Sequence, residues 1–253
     1  MVIVISGIIL LTALFIRIYP FTFKRAKSGM TYRVLDKTHT LPELDAKIYP
    51  FMLKKRTLDN MAMVLEKVVT IFREHEIEYF LHAGSLLGAA RHGGFIPWDD
   101  DIDMMVDIRY EERILQLTNR FRREGLYLSP ARGGYKVGKK NILTAYPYVD
   151  LIMAAEKNGA MRPCLPRDKE GNFTYQVSQS CPREYYELSA AFPLRDHEFE
   201  HLRVKVPNNI HLHVEQIYGP NALNEIELGS RFYWLVRNQY LDNIAYHLGL
   251  IEG

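Results

Sequence analysis

The sequence predicts a mixed domain of strands and helices, α/β or α+β in class, behind an N-terminal transmembrane helix. Three observations predict it. An uncharged apolar run opens the chain, helical and strand-like apolar patterns interleave after residue 54, and two aspartates, Asp101 and Asp103, punctuate one of the strand-like runs. Elements interleaved in this order bury their apolar faces by packing helices against a sheet. A length of 253 residues suits one principal domain. The net charge of +2, with no motif that reads bases, argues against a nucleic-acid partner.

Val2 to Ile16 carries no charge, and after Arg17 the apolar character resumes through Ile18, Tyr19, Phe21 and Phe23. About 22 residues at roughly 1.5 Å each reach about 33 Å, enough to span a bilayer's hydrocarbon. Arg17 can snorkel to the interface and Tyr19 suits the headgroup level. A cleaved signal peptide is the rival reading, but there is no basic leader segment and no small-residue cleavage site directly after the run. A buried helix of the domain is disfavoured because the run is apolar all round. Residues 1–23 are therefore expected to be a single-pass anchor, 24–53 a stem, and 54–253 the functional domain. Orientation is contested. Arg17, Lys24, Arg25 and Lys27 follow the span and favour a cytoplasmic domain. The sequon Asn172-Phe173-Thr174 has meaning only in a lumen such as that of the ER or Golgi.

Leu58, Met61, Leu65, Val68 and Phe72 recur at three- and four-residue steps, which predicts an amphipathic helix over 57–75 with Thr57 as its N-cap. Tyr79 to His82 reads as a strand running into Ala83-Gly84-Ser85, and Leu86 to Arg91 as a short helix stopped by Gly93-Gly94. A strand over 101–107 and a helix over 111–123 follow, then strands at 126–128 and 145–153. Residues 158–182, rich in turn formers, read as a surface loop. Glu198 to Val206 suggests a strand. Asn209 caps a helix that ends at Tyr218-Gly219-Pro220, and a last helix is expected over 231–248. Cys164 and Cys181 are too few for a disulfide framework and leave both a single bond and two free thiols open.

Residues two apart on a strand share a face, so Asp101 and Asp103 project together while Ile102, Met104 and Val106 turn to the core. Two carboxylates about 5 Å apart repel by roughly 3 kcal/mol at an effective dielectric near 20. A cation or a raised pKa relieves that repulsion. Paired hard oxygens suit Mg²⁺ or Mn²⁺, which also bind phosphate oxygens. A calcium loop of EF-hand type is excluded, because the required Gly and Glu places hold Met104 and Tyr110. A solvated acidic turn accounts for Asp99 to Asp101 but not for Asp103 in an apolar run. Upstream, the amides of Gly84-Ser85 and the Ser85 hydroxyl form a natural phosphate cradle at a helix start. Asp150, polar between Val149 and Leu151, is the candidate third carboxylate, with an exposed strand position as the plain alternative. Lys136, Lys139 and Lys140 read as a basic loop able to meet a diphosphate or simply to face water. His75, His82, His211 and His213 have no metal-site spacing and are expected in surface or packing roles.

The stretch from Gly84 through Leu86-Leu87-Gly88 and Arg91-His92-Gly93-Gly94-Phe95-Ile96-Pro97-Trp98 to Asp103 resembles the signature of the LicD family, which includes the fukutin-type proteins. Asp150 between Val149 and Leu151, Phe199-Glu200-His201-Leu202, Val206-Pro207-Asn208 and Tyr218-Gly219 are similar to later elements of the family, so the resemblance covers about 54–220. It implies a nucleotidyltransferase-like mixed sheet flanked by helices and a phosphotransferase activity. The reaction implied is transfer of a phospho-alcohol, such as phosphocholine or ribitol phosphate, from a CDP-linked donor to a hydroxyl of a glycan or glycoconjugate. Asp101, Asp103 and Asp150 would then be catalytic and hold Mg²⁺ or Mn²⁺, with Asp99 as a further ligand. Gly84, Ser85, Arg91, His92 and Lys136 would contact substrate, with a structural role at the helix end an equal alternative for His92. A sugar-nucleotide glycosyltransferase with an Asp-x-Asp site and a non-catalytic glycan-binding relative are the alternatives.

Overall fold

Short alternating segments at the start of the chain build two small strand pairs. The structure, a computed structural model, describes residues 21–46, 50–131, 133–139, 147–176 and 183–226. Strand β1 (Phe21–Arg25) pairs antiparallel with β4 (Phe51–Leu53), and β2 (Thr31–Val34) forms a hairpin with β3 (Lys37–Thr40). Tyr32, Val34, Leu41, Leu44, Met52 and Leu53 are buried in the common core. The segment expected as a stem is thus largely built into the body. The anchor's expected last residues, 21–23, lie in β1, while residues 1–20 fall outside the described part. Among the described residues no helix is long and apolar enough to cross a membrane.

Helix α1 (Lys55–Glu74) buries the predicted stripe of Leu58, Met61, Leu65, Val68 and Phe72. It starts two residues earlier than expected. Lys54 holds the cap position and Thr57 is buried inside the first turn instead of capping it. The helix packs over the sheet at β8 and β9, whose ranges follow. Strand β5 (Tyr79–Leu81) leads into α2 (Ala83–His92), which ends at Gly93 in the left-handed region, as the glycine pair predicts. Strand β6 (Ile102–Asp107) follows. The single helix expected over 111–123 is divided into α3 (Glu111–Gln116) and α4 (Thr118–Arg123), which meet at Leu117.

The largest departure from expectation comes next. Strand β7 (Leu126–Ala131) forms a hairpin with β8 (Gly134–Lys139), so the basic loop is a strand. Its glycines fit the sheet because a Cβ at Gly134 would lie 1.8 Å from the Leu151 carbonyl oxygen and one at Gly138 2.6 Å from that of Pro147. Strand β9 (Tyr148–Lys157) is the spine of the sheet, and β10 (Ala160–Pro163) turns back along its far end. The expected surface loop therefore begins with a strand. Within it Asn172 is exposed, and Cys164 is buried while Cys181 lies outside the described residues. Strand β11 (Tyr186–Glu187) and α5 (Leu188–Ala191) precede the hairpin of β12 (Arg195–Phe199) and β13 (Leu202–Val206), which occupies the place of one predicted strand. Asn209 caps α6 (Ile210–Tyr218) by accepting from the Leu212 amide, as expected. The helix predicted over 231–248 lies outside the described residues.

The central sheet has seven strands and is mixed. β5 is antiparallel to β6, β6 is parallel to β9, and β9 is antiparallel to both β8 and β10. Met104, Met105 and Val106 are buried on both faces of β6, so the strand is open only at its two ends, at Asp103 and at Asp107.

Candidate active site at the carboxylate end of the sheet

Strand register assembles the site. Asp103 of β6 is the direct partner of Asp150 on β9, and Asp150 is the direct partner of Lys136 on β8. Side chains opposite each other on adjacent strands share a face, so three chemically matched groups form one row across three strands. Asp101, just before β6, completes the group. Asp101, Asp103 and Asp150 each offer a carboxylate oxygen within 4.8 Å of the others, and Asp99, Asp100 and Asp101 form a second such group. The two groups share Asp101. All the predicted acidic residues therefore converge.

Crowding of like charge has a direct electrostatic result. Burial drives the Asp103 carboxyl well above the usual carboxylate range, and the charges of Asp101, Asp99, Asp150 and Glu184 push it the same way. Lys136 offsets part of this charge. Its Nζ lies 3.2 Å from Asp150 Oδ1 and 3.5 Å from the centre of the Tyr148 ring. Burial alone would lower the Lys136 pKa, yet contacts with Tyr148 and Asp150 outweigh it and the net shift is upward.

The Gly-Ser step is a helix start, with His82 at the cap position and Ala83 at φ 44°. Ser85 Oγ accepts the Asp103 backbone amide at 3.0 Å, which pins α2 to the aspartate strand. Accepting that bond leaves the hydroxyl its single proton to donate. Gly84 has a steric reason to be glycine, since a Cβ there would lie 2.1 Å from Asp99 Oδ2. The Asp99 carboxylate thus rests against the first turn of a helix, where backbone N–H groups point outward.

Arg91 and His92 are both held by contacts within the protein. Arg91 donates through Nη1 to the carbonyls of Ala222 and Glu225, at 3.0 and 2.8 Å, and its guanidinium lies 5.8 Å from the Trp98 ring centre. Burial lowers its pKa to about 10. It ties the segment after α6 to α2. His92 packs edge-on to Trp98 at 5.7 Å, and burial first, then Arg91 and His39, lowers its pKa to about 3. Trp98 is buried at the lead into the aspartates, and the Pro97 carbonyl accepts the Leu53 amide at 2.6 Å.

Sequence reasoning missed a second polar unit. His82, expected in a surface or packing role, is fully buried beside the site, with Nδ1 2.7 Å from the Tyr186 hydroxyl and Nε2 2.6 Å from Glu184 Oε1. A histidine directly before the Ala-Gly-Ser step was the local signal. Nothing in the sequence links it to partners about a hundred residues away.

A family model described as the LicD/FKTN/FKRP nucleotidyltransferase domain matches residues 76–209, more than half of the chain, and spans the whole carboxylate cluster. The chain belongs to the LicD family. An uncharacterized protein of Rickettsia prowazekii is 26% identical to this LicD-family chain over 171 residues, 67% of the chain and 57% of that protein. The lipopolysaccharide cholinephosphotransferase LicD of Haemophilus influenzae is 45% identical over 56 residues, 21% of each. The mouse ribitol 5-phosphate transferase FKRP is 26% identical over 165 residues, 63% of this chain and 31% of that protein. The chain spans about half the length of the first rickettsial relatives it matches. Among solved structures, ANT(2")-Ia in complex with adenylyl-2"-tobramycin is 13% identical, covers 72% of this chain and 97% of its own, and has a TM-score of 0.38.

Proposed function

We propose that this LicD-family chain is a divalent-metal-dependent phosphotransferase that moves a phospho-alcohol from a CDP-linked donor to a glycan hydroxyl. The observation that carries the reading is the pairing of Asp103 with Asp150 across parallel strands, with Asp101 completing an all-carboxylate group. The names of the bacterial and mouse relatives, a cholinephosphotransferase and a ribitol 5-phosphate transferase, support phospho-alcohol transfer as the reaction class.

The donor set fits a hard cation. It is entirely oxygen, and the raised Asp103 pKa marks a place where positive charge lowers the energy. Asp101, Asp103 and Asp150 would hold Mg²⁺ or Mn²⁺, with Asp99 alongside. Such an ion supplies neutralisation of the charge that grows on the donor's diphosphate as the nucleotide departs. The chain's own groups do the rest. Lys136 adds a second positive charge at the row's end, the Ser85 hydroxyl donates to a phosphate oxygen, and the first amides of α2 present N–H groups to it. In the same reading the N-terminal apolar segment ahead of β1 is a single-pass anchor that holds the domain at a membrane bearing the acceptor.

The test is CMP release from CDP-choline and CDP-ribitol with Mg²⁺ or Mn²⁺, beside UDP- and GDP-sugars as controls. Metal-dependent CMP release is expected, and turnover of the sugar nucleotides alone would replace this reading. Gly84→Ala probes the close approach of Asp99. It should weaken divalent-ion affinity roughly tenfold, as loss of a supporting contact to a metal site does, while the melting temperature of the metal-free protein stays within about 2 °C. Unchanged ion affinity would remove Asp99 from the site.

A further inference from the structure

We infer that Glu184 is a further catalytic residue, the acceptor of the proton released by the attacking hydroxyl, and that buried His82 and Tyr186 are its positioning residues. The inference rests on the phosphotransfer reading above.

Glu184 is held from two sides. Its Oε1 meets His82 Nε2 at 2.6 Å, and the His82 ring, fully buried, is fixed in turn by the Tyr186 hydroxyl at 2.7 Å. Tyr186 is itself fully buried, packed against Phe80 at 4.8 Å and the His213 ring at 4.6 Å. On the other side, the Gln216 side-chain amide of α6 donates to the carbonyls of Arg183 and Tyr185, which flank Glu184, at 2.9 and 2.7 Å. An ionised carboxylate has no proton to give, so Nε2 carries the hydrogen toward Glu184, while Nδ1 meets the Tyr186 hydroxyl. The contacts run from Tyr186 through His82 and end on the Glu184 carboxylate.

The placement is beside the aspartate strand. His82 donates its backbone amide to the Asp103 carbonyl at 3.0 Å, and the charge of Glu184 is felt at Asp103. The Glu184 side chain is 22% exposed, and among the described residues no hydrogen bond to its second oxygen is found. Asp150, the other carboxylate available for this task, is ion-paired with Lys136 and stands among the proposed metal ligands. In the step, the acceptor oxygen forms a bond to the donor's distal phosphorus, its proton passes to Glu184 Oε2, and the bond from that phosphorus to the bridging oxygen breaks. CMP leaves with the electron pair.

Donor hydrolysis, with water as the acceptor, reports the step without knowledge of the glycan. Glu184→Gln keeps the contact to His82 and removes the basicity. It should lower kcat for CMP release about 100-fold, with KM for CDP-choline or CDP-ribitol within about twofold and an unchanged melting temperature. Glu184→Ala should lose as much and regain part of it with added formate, which a merely structural role would not permit. Tyr186→Phe should lower kcat several-fold at constant KM. A Glu184→Gln rate within threefold of the parent, while Asp103→Asn is inactive, would overturn the role of Glu184 and leave the phosphotransfer reading standing. A parent protein that neither binds the two donors nor releases CMP from them would overturn both.

Discussion

Asp103→Asn should abolish CMP release and at the same time raise the melting temperature of the metal-free protein. The two effects have one origin. Asp103 lies in a buried row facing Asp150, with Asp101 and Asp99 adding like charge. Removing one of these carboxylates relieves repulsion of about 1–3 kcal/mol, which raises Tm by roughly 3–8 °C for a chain of this size. Activity moves the other way. Loss of about 4 kcal/mol of charge stabilisation at the phosphorus corresponds to roughly 10³-fold in rate. Because folded Asp103 binds its proton more tightly than the unfolded chain does, the metal-free protein should lose stability as pH rises from about 4, the ordinary carboxylate value, up through the raised folded value. Below about 4 that penalty is absent. Melts with EDTA across this range should show the slope in the parent and a reduced slope in Asp103→Asn, and Mg²⁺ should flatten it in the parent only. A variant that melts lower than the parent, or keeps its full pH slope, would contradict the electrostatic account.

Glu200→Ala should be the most destabilising substitution at a single polar position. The Glu200 side chain is 2% exposed at the turn of the β12–β13 hairpin, at φ 56°. Its Oε2 lies 2.7 Å from His39 Nε2 on the β2–β3 hairpin, and its Oε1 accepts the Phe95 amide at 2.9 Å. A Cβ on Gly94 would lie 2.0 Å from that same Oε1. One carboxylate therefore joins the N-terminal hairpin, the C-terminal hairpin and the loop that carries Trp98 to the aspartates. Truncating it strands a buried amide and a buried imidazole, a loss of about 3–5 kcal/mol. Urea denaturation followed by fluorescence measures this, and a loss below about 1 kcal/mol would show that the clamp is dispensable. Glu200→Gln, which can still accept both bonds, should lose less.

The acidic residues were legible because the evidence for them is local. Asp101 and Asp103 stand out in an apolar run, Asp150 stands between Val149 and Leu151, and the glycine-rich stretch before them has a distinctive order. Periodicity placed α1 and the Asn209 cap for the same reason. Four things escaped. Strand β8 carries glycines at 134 and 138 and lysines at 136 and 139, a composition that reads as a loop until the close approach of β9 accounts for the glycines. The hairpin of β2 and β3 offers only four residues a side, too few for its buried alternation of Tyr32, Val34 and His39 to be distinguished from a stem. Helix division at Leu117 and the pairing of His82 with Glu184 depend on tertiary contacts that no local pattern encodes.

Neighbouring strands in a sheet stand about 4.8 Å apart, and Asp103 and Asp150 face each other across one such interval. Backbone spacing, not side-chain reach, therefore acts as a ruler for whatever sits between them. Lengthening either residue by a methylene, as in Asp103→Glu, should narrow the gap and shift preference toward smaller cations. Asp101 lies on the irregular lead-in before the strand and can follow the change. On the proposed metal-dependent reading, the sheet sets the size of the ion that fits, and a search for altered cation selectivity belongs at these two positions.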